Sequence, residues 1–330
     1  MSQKYGPIFS LRLGTKLHVV VNTIDLVKVV ARDLDQTFSN RDPPLTALSI
    51  SYGGLDVGFS SHRHWRDMRK ILVSQVLSTA SLEASRSLRT NEVRRTVSDV
   101  YGRVGTEIDI NKVAYDTEIN VVTSMLWGCS KGVNVDGDDS ISDVGDGFRE
   151  VMYRIMELLA APNISDFIPM LSRFDLQGRL REMQKQKEHM DRIFENVIRG
   201  RINANSRKMV KDERKDFLQI LLDEKDDPTS SIDINQIKAL LVDVMIATSD
   251  TTSTMVEWVM AELLSNPEVL IKVQEELTDV IVASFLHSFD WSLPKDEDFD
   301  LSEEFGIVMR KRKPLIAIPS LRLSDASLYL

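Results

Sequence analysis

The stretch Ala247-Thr248-Ser249-Asp250-Thr251-Thr252 lies in the middle of an apolar run over residues 237–264, and it constrains the fold more than any other part of the chain. Before it, Ile237, Leu240, Leu241, Val244 and Met245 recur at helical spacing. After it, Met255, Val256, Val259, Met260 and Leu263 resume the pattern. The run predicts a long helix that reads as buried, and the most buried element of the fold. A polar group left unpaired in such a place costs about 1–3 kcal/mol. Threonine hydroxyls bond back to the carbonyl one turn earlier and loosen a helix locally. Two readings stay open: a satisfied polar patch, or a local opening that admits a small ligand or water.

The chain has 330 residues, enough for one large core or two domains. Its 41 basic and 50 acidic side chains leave a net charge of −9, which argues against a general nucleic-acid binder. The basic run Arg310-Lys311-Arg312-Lys313 reads as a solvated strand edge, with a targeting signal as the other reading. The single cysteine, Cys129, has no partner in the chain for a disulfide, which fits a reducing compartment. No stretch reaches the ~18 consecutive apolar residues of a membrane span. The first residues are polar and lack a signal-peptide core.

Residues 8–13 and 17–21 cluster β-formers around Gly14-Thr15-Lys16 and predict a hairpin. Thr23 is placed to cap a helix over 24–32. Residues 45–60, with Gly53, Gly54 and Gly58, predict a flexible loop. In the next segment Trp65 and Arg69 are four apart, on one face of a helix that continues to Leu77. An arginine lying along an exposed aromatic explains that pair structurally, and a guanidinium placed to take a carboxylate explains it functionally. His62 and His64 lack further nearby ligands, so no metal site is expected. From 81 to 227 the pattern is helical and amphipathic, with helices over 110–128, 148–159 and 180–202. Asn266-Pro267 stops the long helix and restarts the next.

The block over 237–281 resembles the central oxygen-binding helix, and the helix after it, of the haem-thiolate monooxygenases, the cytochromes P-450. Trp65 and Arg69, Asp250 and Thr251, Asn266-Pro267, and Phe289-Asp290-Trp291 occur in the family's order. The resemblance covers residues 4–319. It implies a mainly α fold with a small β lobe, an incomplete form of the cytochrome P-450 fold. Details such as Val256-Glu257-Trp258 and Phe305-Gly306-Ile307 look most like plant terpenoid hydroxylases, of the geraniol 8-hydroxylase and ferruginol synthase kind.

The resemblance implies roles for particular residues. Asp250 and Thr251 match the pair that relays protons to dioxygen. Ala247 and Thr248 lie where that helix passes over the haem, and Thr248 stands where the family usually has glycine. Trp65 and Arg69 match the pair that bonds a haem propionate. Haem is the implied cofactor, with electrons from NADPH through a partner cytochrome reductase, and the substrate is an apolar, terpenoid-like small molecule. The family sits on the cytosolic face of the endoplasmic reticulum membrane. Here the anchor is not seen, so a cytosolic or peripheral location is expected.

Departures from the family are equally specific. The Glu-x-x-Arg helix and the cysteine loop that ligates haem iron are not found after 281, and Cys129 lacks that loop's glycine-rich flanks. The chain therefore divides into 1–281, the β lobe and helices through the oxygen-binding helix, and 282–330, joined across a deletion. Residues 282–291 are expected to end a helix, and 305–309 with 314–319 to form the last hairpin. Apolar faces of 237–264 and 282–293 are expected to lie uncovered and to make the chain poorly soluble. On this reading the chain, as written, does not run the family's reaction. The alternatives are a truncated splice form or gene-model product without catalysis, or a helical interaction or binding protein.

Overall fold

The computed structural model describes residues 2–128, 144–207, 215–228, 232–276, 281–294 and 299–329. The glycine between the two β-forming runs carries the first turn. Gly14 has φ +58, and β1 (Ile8–Leu13) folds back on β2 (Lys16–Val21) as an antiparallel ribbon. The segment expected as one helix over 24–32 divides instead. Helix Ile24–Lys28 passes into a wider turn over Val29–Asp33, and Thr23 is extended with no side-chain cap bond. The expected loop over 45–60 also begins as a helix, α1 (Leu45–Ile50), because Ala47 and Ile50 bury completely. Only 51–61 remains irregular, and Tyr52, Gly53 and Gly54 all take positive φ there.

The helical body follows: α2 (His62–Gln75), α3 (Arg86–Tyr101), the short β3 (Ile108–Asp109) and α4 (Ile110–Trp127). Asp109 caps α4 by accepting the Lys112 N–H at 2.9 Å, and Gly128 ends it in the left-handed conformation. Then come α5 (Val144–Ala160), α6 (Arg179–Arg207) and α7 (Phe217–Asp226). The long apolar run forms α8 (Ile234–Ser265), opened by a capping box between Asp233 and Gln236. Asn266 closes it, and Pro267 starts α9 (Pro267–Glu276).

Helix α10 (Ile281–Ser288) leads into β4 (Phe289–Ser292). Phe289-Asp290-Trp291 is thus a strand and not a helix end. Its alternation puts Phe289 and Trp291 inward and Asp290 outward. The expected last hairpin is replaced by two pairings. β5 (Glu303–Glu304) pairs with β6 (Arg310–Lys311), while β7 (Ile316–Leu321) lies between β3 and β4 in an antiparallel sheet. β7 finds its partners on either side because Ala317 and its neighbours bury against α3, α4 and α10.

Two apolar clusters make the core. One joins α1, α2, α5, α6 and α7 to the C-terminal half of α4 and the N-terminal half of α8. The other joins α3, α10, β4 and β7 to the opposite halves of the same two helices. α4 and α8 therefore run antiparallel through both clusters. Each large apolar side chain fully buried there contributes about 1.5–3 kcal/mol. α4, not α8, buries the larger share of its residues, because α8 must turn its central Ala247 and Thr251 outward. The expected bare faces are also covered. Val256 and Met260 of α8 pack with Phe285, Leu286 and Trp291 in the second cluster. The polar centre of α8 falls between the two clusters.

Candidate functional site

Both threonines of α8 that were singled out bond back along their own helix. Thr248 Oγ1 donates to the Val244 carbonyl and Thr251 Oγ1 to the Ala247 carbonyl, each at 2.6 Å. The helix stays continuous through the stretch. Asp250 turns the other way and is 2 % exposed. Its Oδ2 meets Arg310 Nη2 at 2.8 Å and Nε at 3.3 Å, and its buried Oδ1 has no protein partner.

Arg310 is delivered by β6, whose first residue faces α8. Its guanidinium also lies 4.2 Å from the ring centre of Tyr153 on α5. From Tyr153 a polar chain runs inward. The Tyr153 hydroxyl donates to Asn111 Oδ1 at 2.8 Å, Arg149 Nη2 donates to the same oxygen at 3.0 Å, and Asn111 Nδ2 donates to Glu257 Oε2 at 3.0 Å. Glu257 Oε1 accepts the Leu315 N–H at 2.8 Å, which ties α8 to the segment before β7. Burial raises the Glu257 carboxyl above its usual range, and the bonds from Leu315 and Asn111 pull against that. Tyr153 is likewise raised by burial.

Tyr153, Asp250 and Arg310 of this network line a cleft of 1380 Å³ between α5, α6 and the turn joining β5 to β6. Phe148, Val151, Met156 and Ile193 supply apolar wall, and Phe305, 89 % exposed, stands at the mouth with Ile307. Lys185, Gln186, His189 and Arg192 of α6 line it with polar groups. Its volume exceeds that of an ordinary small-molecule pocket.

Of the six residues assigned from sequence, Asp250 alone lines the cleft. Thr251 and Ala247 are exposed on a neighbouring face of α8, and Thr248 is half-buried. Trp65 and Arg69 sit on α2 with the guanidinium 5.3 Å from the indole centre. Arg69 is exposed. A planar donor fork of this kind, open to solvent, fits a haem propionate. At the iron end the sequence offers one thiol, Cys129, which lies outside the described residues. His64 bonds the Leu55 carbonyl at 3.1 Å, and no cluster of metal ligands forms among the described residues.

Sequence reasoning missed Arg310, Tyr153, Arg149, Asn111 and Glu257. The basic run over 310–313 is a strand edge as expected, but only half of it is solvated. Lys311 is 7 % exposed, bonds the Asp300 carbonyl and lies over Trp258, because β6 alternates sides. That alternation, and a glutamate between Val256 and Trp258 on an apolar helix, were the available signals.

Residues 1–284 match the family described as Cytochrome P450. Cytochrome P450 76C2 of Arabidopsis thaliana is 33 % identical over 288 residues, covering 85 % of this chain and 55 % of that protein. Geraniol 8-hydroxylase of Catharanthus roseus is 29 % identical over 284 residues, covering 85 % and 56 %. The chain thus spans about half the length of the curated relatives it matches. A solved zebra fish cytochrome P450 with abiraterone superposes with a TM-score of 0.73 at 16 % identity, covering 97 % of this chain and 98 % of that one.

Proposed function

The chain belongs to the cytochrome P450 family, is related to its plant terpenoid hydroxylases, and from that premise we propose what its residues are built to do. The reading is a monooxygenase scaffold whose cleft takes an apolar, terpenoid-like small molecule. The observation that carries it is the cleft itself, set between two helices, the acidic centre of α8 and the exposed apolar turn at Phe305 and Ile307. Geraniol 8-hydroxylase among the relatives supports the substrate class.

Haem, when bound, supplies the oxygen chemistry, with electrons from NADPH through a partner reductase. Arg69, steadied by Trp65, would hold a propionate by paired N–H donors. Ala247 and Thr248 would line the haem side of α8. Asp250 would accept and pass on a proton, and Thr251 would offer its hydroxyl to the same relay. In the fold described here Asp250 is engaged by Arg310 and Thr251 by the Ala247 carbonyl, so both bonds must be exchanged before either residue passes a proton. The propionate end fits the residues present. The iron end has no described thiolate, and no catalytic step is derived through the metal. We infer that this chain alone does not turn over. A place on the cytosolic face of the endoplasmic reticulum membrane suits the family, and among the described residues no helix is long and apolar enough to cross a membrane.

Titration with hemin tests the propionate assignment. Binding that Arg69→Gln weakens about tenfold, and that Arg69→Lys partly restores, supports it. Equal binding by parent and Arg69→Gln sinks it. Calorimetric titration with a monoterpene alcohol, with binding lost in Ile307→Asp, tests the cleft.

A further inference from the structure

The irregular segment 51–61 leads directly into α2, which carries Trp65 and Arg69. Two carboxyls from different parts of the chain hold its backbone. Asp243 of α8 accepts the Val57 N–H through Oδ2 and also the Gly58 N–H. Asp56, 2 % exposed, accepts the Phe59 N–H through Oδ1 at 3.1 Å. The two carboxyls also hydrogen-bond each other. Little space separates them from the backbone: a Cβ on Gly58 would stand 3.2 Å from Asp56 Oδ2 and 3.4 Å from Asp243 Oδ1. Ionised carboxylates only accept. A bond between two of them therefore needs a proton.

We propose that Asp56 and Asp243 share one proton, and that this proton is the clasp holding segment 51–61, and with it the start of α2, on the central helix. Asp243 carries it. Burial, then the neighbouring charge of Asp56, push its carboxyl up to about 7, against the pull of the Val57 and Gly58 amides. Asp56 is raised by burial too, but backbone N–H groups and the positive charge of Arg41 favour its ionised form. The clasp is complete while Asp243 is protonated. As pH rises through about 7 the pair becomes two facing anions and the contact opens.

Other charged groups meet the same segment. His64 of α2 bonds the Leu55 carbonyl. At the far end the Tyr52 hydroxyl donates to Asp191 of α6 at 2.7 Å, and Lys238 of α8 pairs with Asp191 and Glu195 at 2.8 Å each, with Lys187 over the Tyr52 ring. That second attachment balances its own charges, so loosening the clasp frees one end of the segment and leaves the other tied. Asp56 and Asp243 are positioning residues. Their bearing on haem rests on the assignment of Trp65 and Arg69 above; the clasp itself does not.

Hydrogen exchange of the full chain, read by mass spectrometry on peptides within 55–61 from pH 5.5 to 8.5 and corrected for intrinsic rates, decides the matter. In the parent, opening is expected to increase about tenfold per unit above pH 7. Asp243→Asn should abolish that rise, because its amide donates to Asp56 where the protonated acid did and its carbonyl still accepts the Val57 N–H. Asp56→Asn should flatten the profile by the reverse donation, and serves if the first variant does not fold. A parent as flat as Asp243→Asn overturns the clasp. So does a rise that survives in both variants, which would belong to another group. Hemin affinity measured at pH 6 and pH 8 reads the consequence separately: a fall in the parent that Asp243→Asn lacks supports the tie to α2, and affinity that ignores pH overturns that tie while the exchange result stands.

Discussion

Arg310 and Asp250 stand 60 residues apart in the chain and 2.8 Å apart in the fold, an arginine from a short strand seated on a carboxylate at the centre of the longest helix. The pair is asymmetric. The Asp250 side chain is 3 % exposed and that of Arg310 27 %. Removing the arginine strands a buried charge, whereas removing the acid frees a cation that can reach water.

Arg310→Ala should therefore destabilise the chain by about 2–4 kcal/mol, on the low side of a fully buried pair because Arg310 is partly exposed. Asp250→Asn should cost less, since its amide oxygen still accepts from Arg310. The combined variant should lie close to Asp250→Asn alone. Urea denaturation of the three variants measures this. Equal costs for the two single changes would show that Asp250 has another partner in solution.

Glu118 on α4 faces Thr252 of α8, and its carboxyl is raised by burial to about 7, with the Thr252 bond pulling the other way. The folded chain thus holds a proton that the unfolded chain releases near 4.5. Its contribution to stability is fully present below that value, declines as pH rises toward about 7, and is flat beyond. Glu118→Gln removes the decline. At pH 8 it should be the more stable protein by on the order of 2–3 kcal/mol, allowing for partial exposure, and at pH 4 the two should agree. A constant difference across that range would place the titration elsewhere.

Much of this fold was legible because apolar spacing and helix punctuation act locally. The helix through Asp250 and the stop at Asn266-Pro267 needed no tertiary information. The first hairpin likewise followed from Gly14 and its flanks. What was not legible depends on partners distant in sequence. β7 has the same alternating pattern whether it pairs with residues 305–309 or with β3 and β4, and only the buried surface it meets decides. Asp250 could be marked as costly, but its partner could not, because Arg310 sits in a run of four cations and nothing local tells which of them β6 turns toward α8. Arg69 and Trp65 were paired by spacing alone, and their contact bears this out, while their use on a propionate rests on family membership.

The reduced chain with carbon monoxide should give no thiolate-type difference band. Cys129 is the one cysteine, and among the described residues the cleft is lined by no thiol. Electron donation from a thiolate is what produces that spectrum and favours O–O cleavage. A band in the parent that disappears in Cys129→Ser would make Cys129 the ligand and restore catalysis to the chain.

Solubility should be governed by the N-terminal ribbon and not by α8 or α10. β1 and β2 form a two-stranded sheet with Ile8, Leu11, Leu17 and Val19 exposed, and Ile24, 75 % exposed, extends the apolar surface. A lone ribbon is marginal in water, and its free edges and apolar face favour association. An anchor at its turn ties it to the body: the Thr15 N–H and Oγ1 both donate to the Phe167 carbonyl, at 2.8 and 3.0 Å, and the His18 ring lies 6.1 Å from that of Phe167. Gly14 permits that approach, since a Cβ there would run into the Phe167 backbone. Leu17→Lys with Val19→Glu should reduce light scattering at a given concentration and leave the unfolding midpoint within about 0.5 kcal/mol, as expected for surface changes away from the core. Gly14→Ala should do the opposite, releasing the ribbon to early proteolysis and raising association. Scattering that responds to neither change, but falls when Leu286 or Val256 is made polar, would mean that the second core cluster is open in solution.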